Sequence, residues 1–124
     1  MTLRPQTTAA LVLKYLWLRA SELGDAPVPL RDLASELKAF QETRPHVRLY
    51  DFPERDASHA PYLRQDLQYL RDLQLIDQAT ANPSFKLTSL GAYFGELFSA
   101  PKSLKEHAEW VASQPGGTMR PAID

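Results

Sequence analysis

Residues 62–76, YLRQDLQYLRDLQLI, decide the fold together with residues 85–91, FKLTSLG, which follow after a polar turn. The first segment carries an apolar stripe with the three- and four-residue spacing of an α-helix, made of Leu63, Leu67, Leu70 and Leu73. The second begins with the alternation of apolar and polar residues that is typical of a half-buried strand. The two segments therefore predict a helix over residues 58–74 and a hairpin formed by residues 75–79 and 85–88.

Ten prolines divide the remaining sequence into blocks, because proline lacks the backbone N–H donor and clashes inside a helix. Residues 8–23 are apolar around most of the helical circumference, which predicts a first helix that is covered on more than one side and ends at Gly24. Residues 27–29 predict a short extended link. Residues 30–40 have apolar positions three and four apart, which predicts a one-faced second helix with Glu36 among its outward residues.

The segment between the second and third helices, residues 41–57, has the least regular pattern of the chain. It predicts a long loop with a short extended piece at residues 47–52. Ser58 is predicted to cap the third helix, and Pro61 is tolerated in the first turn of that helix.

Two further helices are predicted after the hairpin. Thr88 or Ser89 begins the fourth helix. Ser103 and Glu106 have the spacing of a capping box, which predicts the start of the fifth. One face of this fifth helix is apolar or aromatic: Leu104, His107, Ala108 and Val111. The helix either forms a dimer interface or folds back over the first helix. Residues 114–124 carry no pattern and are predicted to be a flexible tail.

The order of these elements resembles the winged helix-turn-helix superfamily, in which a third helix leads into a two-stranded wing. In that family the step into the wing reads leucine, one residue, leucine-isoleucine, as residues 73–76 do here. The returning strand closes with leucine-threonine-x-x-glycine, which residues 87–91 match. The resemblance covers roughly residues 8–98 and implies a fold that is mainly α with a small β-hairpin, a winged helix-turn-helix with an extra C-terminal helix. A single domain over residues 1–113 is expected, although the long loop at 41–57 departs from the family.

The resemblance also implies DNA binding, with residues 58–74 as a recognition helix in the major groove and residues 77–87 as a wing against the backbone. Glutamine can pair with adenine, arginine with guanine, and tyrosine with phosphate. The candidate DNA-binding residues are His59, Tyr62, Arg64, Gln65, Gln68, Arg71 and Lys86, with Arg44 and Arg48 in the preceding loop. The chain is expected to be a homodimeric transcription regulator that binds double-stranded DNA. The pattern also leaves open that Arg64 and Arg71 are only solvated, or are paired with a neighbouring aspartate.

The charge balance limits how such a protein binds DNA. Its 14 Lys and Arg residues against 15 Asp and Glu give a formal net charge of -1, which excludes the strongly basic coat of a histone-like protein. Asp66 and Asp72 cancel the two arginines of the recognition helix, so a monomer is expected to bind weakly and tight binding needs a dimer. The same neutrality favours an alternative, a winged-helix protein-interaction module that is a subunit of a larger assembly without direct DNA readout.

Residues on the first and fifth helices are the candidates for a homodimer interface, because aromatic side chains are enriched in interfaces. These candidates are Tyr15, Trp17, Leu104, Trp110 and Val111. Alternatively, the aromatic residues among them, Tyr15, Trp17 and Trp110, belong to the hydrophobic core.

No pattern in the sequence supports an enzyme. Cysteine is absent, which excludes disulfides, iron–sulfur clusters and thiol catalysis. The 3 histidines lack the paired spacing of metal ligands, and there is no glycine-rich phosphate loop. We therefore expect no metal and no cofactor. No apolar run reaches the roughly 20 residues that a membrane span needs, so a cytoplasmic protein without membrane contact is expected.

Overall fold

The computed structural model describes residues 5–24, 26–43, 49–53, 56–79, 83–98 and 102–113, and at residues 5–7 it describes the backbone alone. These residues form five α-helices, three short strands and one 3₁₀ helix. In chain order the elements are α1 (Pro5–Leu23), β1 (Val28–Pro29), α2 (Leu30–Glu42), the 3₁₀ helix Ala57–His59, α3 (Pro61–Asp72), β2 (Ile76–Ala79), β3 (Ser84–Leu87), α4 (Ser89–Leu97) and α5 (Lys102–Ala112). The prediction of a mainly helical fold with a small β-hairpin is confirmed at this level.

α1 is the central helix, and it packs against α3, α4 and α5. Its residues Val12, Leu13 and Tyr15 have no exposed surface, which confirms the prediction of a helix covered on more than one side. Gly24 follows the helix with a φ of 93°, a left-handed conformation that glycine adopts readily. Its N–H donates to the Ala20 carbonyl over 2.8 Å. Although α1 has 19 residues, no helix in the described ranges is both long and apolar enough to cross a membrane.

The three strands form one antiparallel sheet in the order β1–β3–β2. The predicted hairpin is confirmed, because β2 pairs with β3 and Gln78 lies opposite Phe85. Residues 27–29 contribute more than the predicted extended link, since Val28 pairs with the other side of β3. Pro29 is compatible with this strand because β1 is at the edge of the sheet, where a missing N–H is tolerated.

Glu36 on α2 has no exposed surface, so the prediction that it faces outward is wrong. Its carboxylate accepts hydrogen bonds from the Tyr15 hydroxyl over 2.6 Å and from Arg19 Nε and Nη2 over 2.8 and 2.9 Å. Nε2 of His107 donates to the Glu36 backbone carbonyl over 2.8 Å. The spacing of apolar residues on α2 cannot reveal these partners, because they come from α1 and α5.

α5 folds back over α1, as one of the two predictions for this helix requires. Its predicted buried face is confirmed and consists of Leu104, His107, Ala108 and Val111. The helix begins at Lys102, so Ser103 lies inside its first turn and the predicted capping box is wrong. A capping residue has to precede the first helical residue for its side chain to reach the free N–H groups.

Two glycines allow α4 to approach its neighbours closely. A Cβ at Gly91 would lie 1.8 Å from the Leu75 carbonyl oxygen, and one at Gly95 would lie 2.8 Å from Trp17 Cβ. The helix begins at Ser89, one of the two predicted starts, and Thr88 is its N-cap, whose hydroxyl accepts the Gly91 N–H over 2.9 Å. The outer side of α4 carries three exposed side chains, here named the α4 stripe: Leu90, Tyr93 and Leu97, with 45%, 59% and 59% of their surface exposed.

Candidate nucleic-acid interface

The start of α3 lies at Pro61, later in the chain than predicted. A separate 3₁₀ helix, Ala57–His59, precedes it and is capped by Asp56, whose Oδ1 accepts the Ser58 N–H over 3.0 Å. Proline disfavours a helical conformation at the residue before it, and Ala60 is extended with φ of -63° and ψ of 114°. The prediction that Ser58 caps α3 is therefore wrong, and its hydroxyl donates to Asp56 instead.

The buried stripe of α3 consists of three leucines that are at most 2% exposed: Leu63, Leu67 and Leu70. Leu73 is 46% exposed, so its predicted place in this stripe is wrong. It is the C-cap of the helix, and the next residue, Gln74, has a left-handed φ of 63°. This turn brings the Leu75 N–H to the Leu70 carbonyl over 3.0 Å, which closes a Schellman motif. Leu75, which follows this turn, is buried.

The exposed surface of α3 has two chemically different sides that flank the buried leucines. The first side, here named the basic flank, consists of Arg64, Gln68 and Arg71. The second side, named the aromatic flank, consists of Tyr62, Tyr69 and Leu73. Within each set the residues are three, four or seven positions apart, which is the spacing of neighbours along one side of a helix. All six side chains are exposed to solvent.

Both arginines of the basic flank are held by neutral acceptors. Arg64 Nε donates to the Ser58 carbonyl over 2.9 Å. Arg71 Nη1 donates to Oε1 of Gln78 on β2, also over 2.9 Å. In the part of the chain that the structure describes, neither guanidinium forms an ion pair with a carboxylate. The alternative in which a neighbouring aspartate neutralises these arginines is therefore not observed there.

The two aspartates of α3 are engaged by other side chains. Asp66 Oδ2 accepts the Thr8 hydroxyl over 2.5 Å and also accepts the Tyr50 hydroxyl. Burial, followed by the hydrogen bond to Asp66, raises the pKa of Tyr50, so the phenol remains a donor. Asp72 Oδ1 accepts the Gln68 amide over 2.8 Å. Since Asp66 is half-buried beside α1, its charge lies away from the basic flank.

His59 is exposed, but it lies on the 3₁₀ helix rather than on α3. Its Nε2 is 3.7 Å from Asp56 Oδ2. Hydrogen bonds from the hydroxyl and N–H of Ser58 lower the pKa of Asp56, so this carboxylate stays charged beside the imidazole. A DNA phosphate at His59 would have to compete with Asp56.

Tyr62 and Gln65 are exposed as predicted, but they line a different surface from the basic flank. Together with Tyr50, Asp51 and Asp66 they border an open pocket of about 320 Å³. Two carboxylates beside this pocket repel a phosphate group. The basic flank therefore contains only three of the DNA-binding residues that the sequence predicts on the third helix.

Lys86 is exposed on β3, opposite Asp77 in the register of the hairpin. Successive side chains of a strand point to opposite faces, so Gln78, the acceptor for Arg71, lies on the other face of the hairpin. Lys86 and Asp77 line a groove of about 620 Å³ that also contains Trp17 of α1. The hairpin thus separates Lys86 from the basic flank. The sequence pattern instead predicts that Lys86 and the residues of this flank share one DNA-binding surface.

Some predictions fall on residues outside the described ranges. They concern Arg44 and Arg48 as DNA contacts, residues 80–82 of the predicted wing and the tail at residues 114–124. The predicted extended piece at residues 47–52 is described only from residue 49 onward, and that part forms no strand.

Three of the five predicted dimer-interface residues have no exposed surface: Tyr15, Leu104 and Val111. Their assignment to an interface is wrong, because they pack inside the chain's own core. Trp17 is half-buried, with the Lys14 ammonium 4.1 Å from its ring centroid and Gly95 against its side chain. Trp110 is 47% exposed and stacks on His107 with ring centroids 5.7 Å apart. Trp110 therefore keeps a surface that another molecule can reach.

The α4 stripe is a surface that sequence reasoning missed. The apolar residues of α4 are recognisable in the sequence, but which of them remain exposed is not. One signal was available: Gly91 and Gly95 are four positions apart, and such a pair marks the side of a helix that packs closely. Leu90, Tyr93 and Leu97 then lie on the other side, where they face solvent, whereas Phe94 is half-buried against the core.

The described ranges contain no group of three histidine, aspartate or glutamate side chains arranged to hold a metal ion. Comparison with protein-family models, with curated proteins and with solved structures finds no match to this chain. Any function assigned to it therefore has to be argued from its own geometry and chemistry.

Proposed function

We propose that this chain is a winged-helix protein that binds duplex DNA as a homodimeric transcription regulator. The order of its elements supports the winged-helix assignment, since the hairpin follows α3 directly and β1 completes the sheet in the order β1–β3–β2. The hydrogen bond from Arg71 to Gln78 joins the proposed recognition helix to the proposed wing. Helix-turn-helix proteins insert such a helix into the major groove.

The observation that carries the proposal is the basic flank. Arg64, Gln68 and Arg71 lie along one exposed side of a helix, and the guanidinium donors of the two arginines suit guanine and phosphate acceptors. The local charge is more favourable than the sequence count indicates at one of the two aspartates of α3, since only Asp72 stays beside the basic flank, as the acceptor of Gln68. Asp66 is occupied by two hydroxyls on another side of the helix, and no described carboxylate forms an ion pair with either arginine.

The small number of cations sets the expected strength of binding. Each phosphate that a protein neutralises contributes about -0.9 to the slope of log affinity against log salt concentration on B-DNA. The basic flank offers two such contacts at most in each chain, through Arg64 and Arg71, so a single basic flank binds weakly. Two chains on adjacent half-sites double the contacts, which is the reason that the proposal includes a homodimer.

The experiment replaces Arg64 and Arg71 together with alanine. We expect the variant to lose the rise in fluorescence anisotropy that the unmodified protein produces with a labelled random-sequence duplex. Titration at two salt concentrations measures the electrostatic part, and its salt slope should become flatter as phosphate contacts are removed.

The matched control replaces Lys102 and Lys105 with alanine, which removes the same charge from exposed positions on α5. This control should bind the duplex like the unmodified protein. An equal loss of duplex affinity in both variants would show that the binding is general charge attraction, not a contact of the basic flank. Unchanged affinity and salt slope in the α3 variant would show that the basic flank does not contact DNA.

The α4 stripe favours a second candidate, a winged-helix protein-interaction module within a larger assembly. Clustered exposed apolar side chains mark protein contact sites more often than chance exposure does. Affinity purification from the native cell, followed by mass spectrometry and DNA sequencing, separates the two candidates. A stoichiometric protein partner without enriched DNA favours the module, and enriched DNA favours the regulator.

A further inference from the structure

We infer that Arg64 reads a base, through a two-pronged contact with a guanine edge, and that Arg71 contacts a phosphate. The inference rests on the proposed DNA binding. It assigns different roles to two arginines that cannot be distinguished from the sequence alone.

The guanidinium of Arg64 is anchored at one end. Its Nε donates to the Ser58 carbonyl over 2.9 Å, and within the described ranges its Nη1 and Nη2 make no hydrogen bond or ion pair. The two terminal amino groups are therefore available as a fork. Guanine presents two neighbouring acceptors, O6 and N7, in the major groove, and an arginine fork matches them. Because the anchor restricts the side chain beforehand, less conformational freedom is lost on binding.

The position of Arg64 along the helix supports the same role. It is the fourth residue of α3, which runs over Pro61–Asp72. In helix-turn-helix proteins the N-terminal residues of the recognition helix contact base edges. A forked donor at this end of α3 is therefore in the part of the helix where sequence is read.

Arg71 differs in both respects. It lies in the last turn of α3, and its Nη1 already donates to Gln78 on β2 over 2.9 Å. In the proposed complex the wing lies against the sugar-phosphate backbone, so a guanidinium held by Gln78 of the wing is placed for a phosphate contact, which positions the protein without reading sequence. Contact with a guanine through both terminal amino groups would require Arg71 to give up Gln78.

Gln68 lies between the two arginines and is less suited to base reading. Adenine recognition by glutamine needs both the amide nitrogen and the amide oxygen. The Nε2 of Gln68 already donates to Asp72 Oδ1 over 2.8 Å. Of the three residues of the basic flank, Arg64 therefore has the donors best prepared for a base.

The test selects binding sites from a random-sequence duplex library with the unmodified protein and with Arg64→Lys. The selected sites of the unmodified protein should share one position at which guanine dominates. Lysine keeps the charge but lacks the fork, so Arg64→Lys should bind random duplex with near-normal affinity. Its preference at that one position should fall by about 5- to 150-fold, the range for a single bidentate base contact.

Two further variants separate base contact from phosphate contact. Arg71→Ala should select the same sites as the unmodified protein, with the salt slope reduced by about 0.9. Lys105→Ala, an exposed charge on α5, should change neither quantity. Circular dichroism spectra like those of the unmodified protein establish that the variants are folded.

Each adverse outcome has a distinct meaning. If Arg64→Lys keeps the full guanine preference, or if Arg64→Ala lowers the salt slope without changing the selected sites, Arg64 contacts phosphate and the inference is wrong. If the unmodified protein binds duplex without base preference, the inference fails while DNA binding stands. If the unmodified protein binds no duplex, the proposed function fails as well.

Discussion

Glu36 has no exposed surface, although it carries a carboxylate into the contact between α1, α2 and α5. A buried carboxylate is tolerated only when charged and hydrogen-bonding partners surround it. Tyr15 and Arg19 provide these partners, and within the described ranges no buried side-chain nitrogen or oxygen lacks one. Burial, and then the carboxylate of Glu36, raises the pKa of Tyr15, which keeps its hydroxyl protonated. These three residues connect α1 to α2.

At the residue scale, we expect Glu36→Leu to lower the free energy of unfolding by about 3–5 kcal/mol, because the charge of Arg19 would remain buried without its partner. The double variant Arg19→Met with Glu36→Leu removes both charges and should be clearly more stable than Glu36→Leu alone. Urea denaturation followed by circular dichroism measures both. A double variant no more stable than the single one would show that the ion pair is not the source of the loss.

At the scale of elements, α3 and α4 pack by different means. α3 buries a stripe of leucines, whereas α4 approaches its neighbours through Gly91 and Gly95. The Schellman turn at Gln74 places the Leu75 carbonyl directly against Gly91. The end of α3 therefore determines where α4 can start. Gly91 and Gly95 lie on the packed side of α4 together with the half-buried Phe94, and Leu90, Tyr93 and Leu97 are left on the exposed side as the α4 stripe.

We expect Gly91→Ala to destabilise the fold more than Gly95→Ala. A Cβ at Gly91 would be 1.8 Å from a backbone oxygen, so the backbone would have to move, and overpacking of this kind costs about 1–3 kcal/mol or more. A Cβ at Gly95 would be 2.8 Å from Trp17 Cβ, so Trp17 would also have to move, but this clash is smaller than the one at Gly91 and alanine regains about 1 kcal/mol of helix propensity. Thermal and urea denaturation measure the order, and a larger loss for Gly95→Ala would contradict this packing.

At the scale of the whole molecule, different elements form surfaces of different chemistry. α3 carries the basic flank, α4 carries the apolar α4 stripe, and Lys86 borders a groove between the hairpin, α1 and α4. A regulator that binds DNA as a dimer needs one surface for DNA and another for protein. The basic flank and the α4 stripe have the chemistry for these two tasks.

We expect Leu97→Glu to weaken the protein contacts of the chain without unfolding it. Leu97 is 59% exposed, so a charge there disrupts an apolar contact while leaving the core intact. Light scattering over a concentration series measures self-association, and affinity purification measures other partners. The neighbouring Glu96→Gln is the control, because it changes an exposed charge on α4 outside the stripe. A dimer or partner retained in full by Leu97→Glu would exclude the α4 stripe as the contact surface.

The sequence by itself determined the elements whose signals are local. The leucines at 63, 67 and 70, the residues that end α1 and begin α4, and the alternation in β3 predict helices and a hairpin that the structure confirms. These signals suffice because helical and strand periodicity is a property of neighbouring residues. The exposure of Arg64, Gln68 and Arg71 is also a local property. Once the leucines fix the buried side of the helix, helical spacing places these three residues on another side.

Only the tertiary structure decided where the polar residues find partners. Glu36 is buried because Arg19 and Tyr15 reach it from another helix, and Asp66 is turned from the basic flank because Thr8 and Tyr50 hold it. Three of the five interface candidates on α1 and α5, namely Tyr15, Leu104 and Val111, proved to be core for the same reason: each helix covers the other. Contacts between residues far apart in the chain depend on how the elements dock, and no local pattern encodes that geometry.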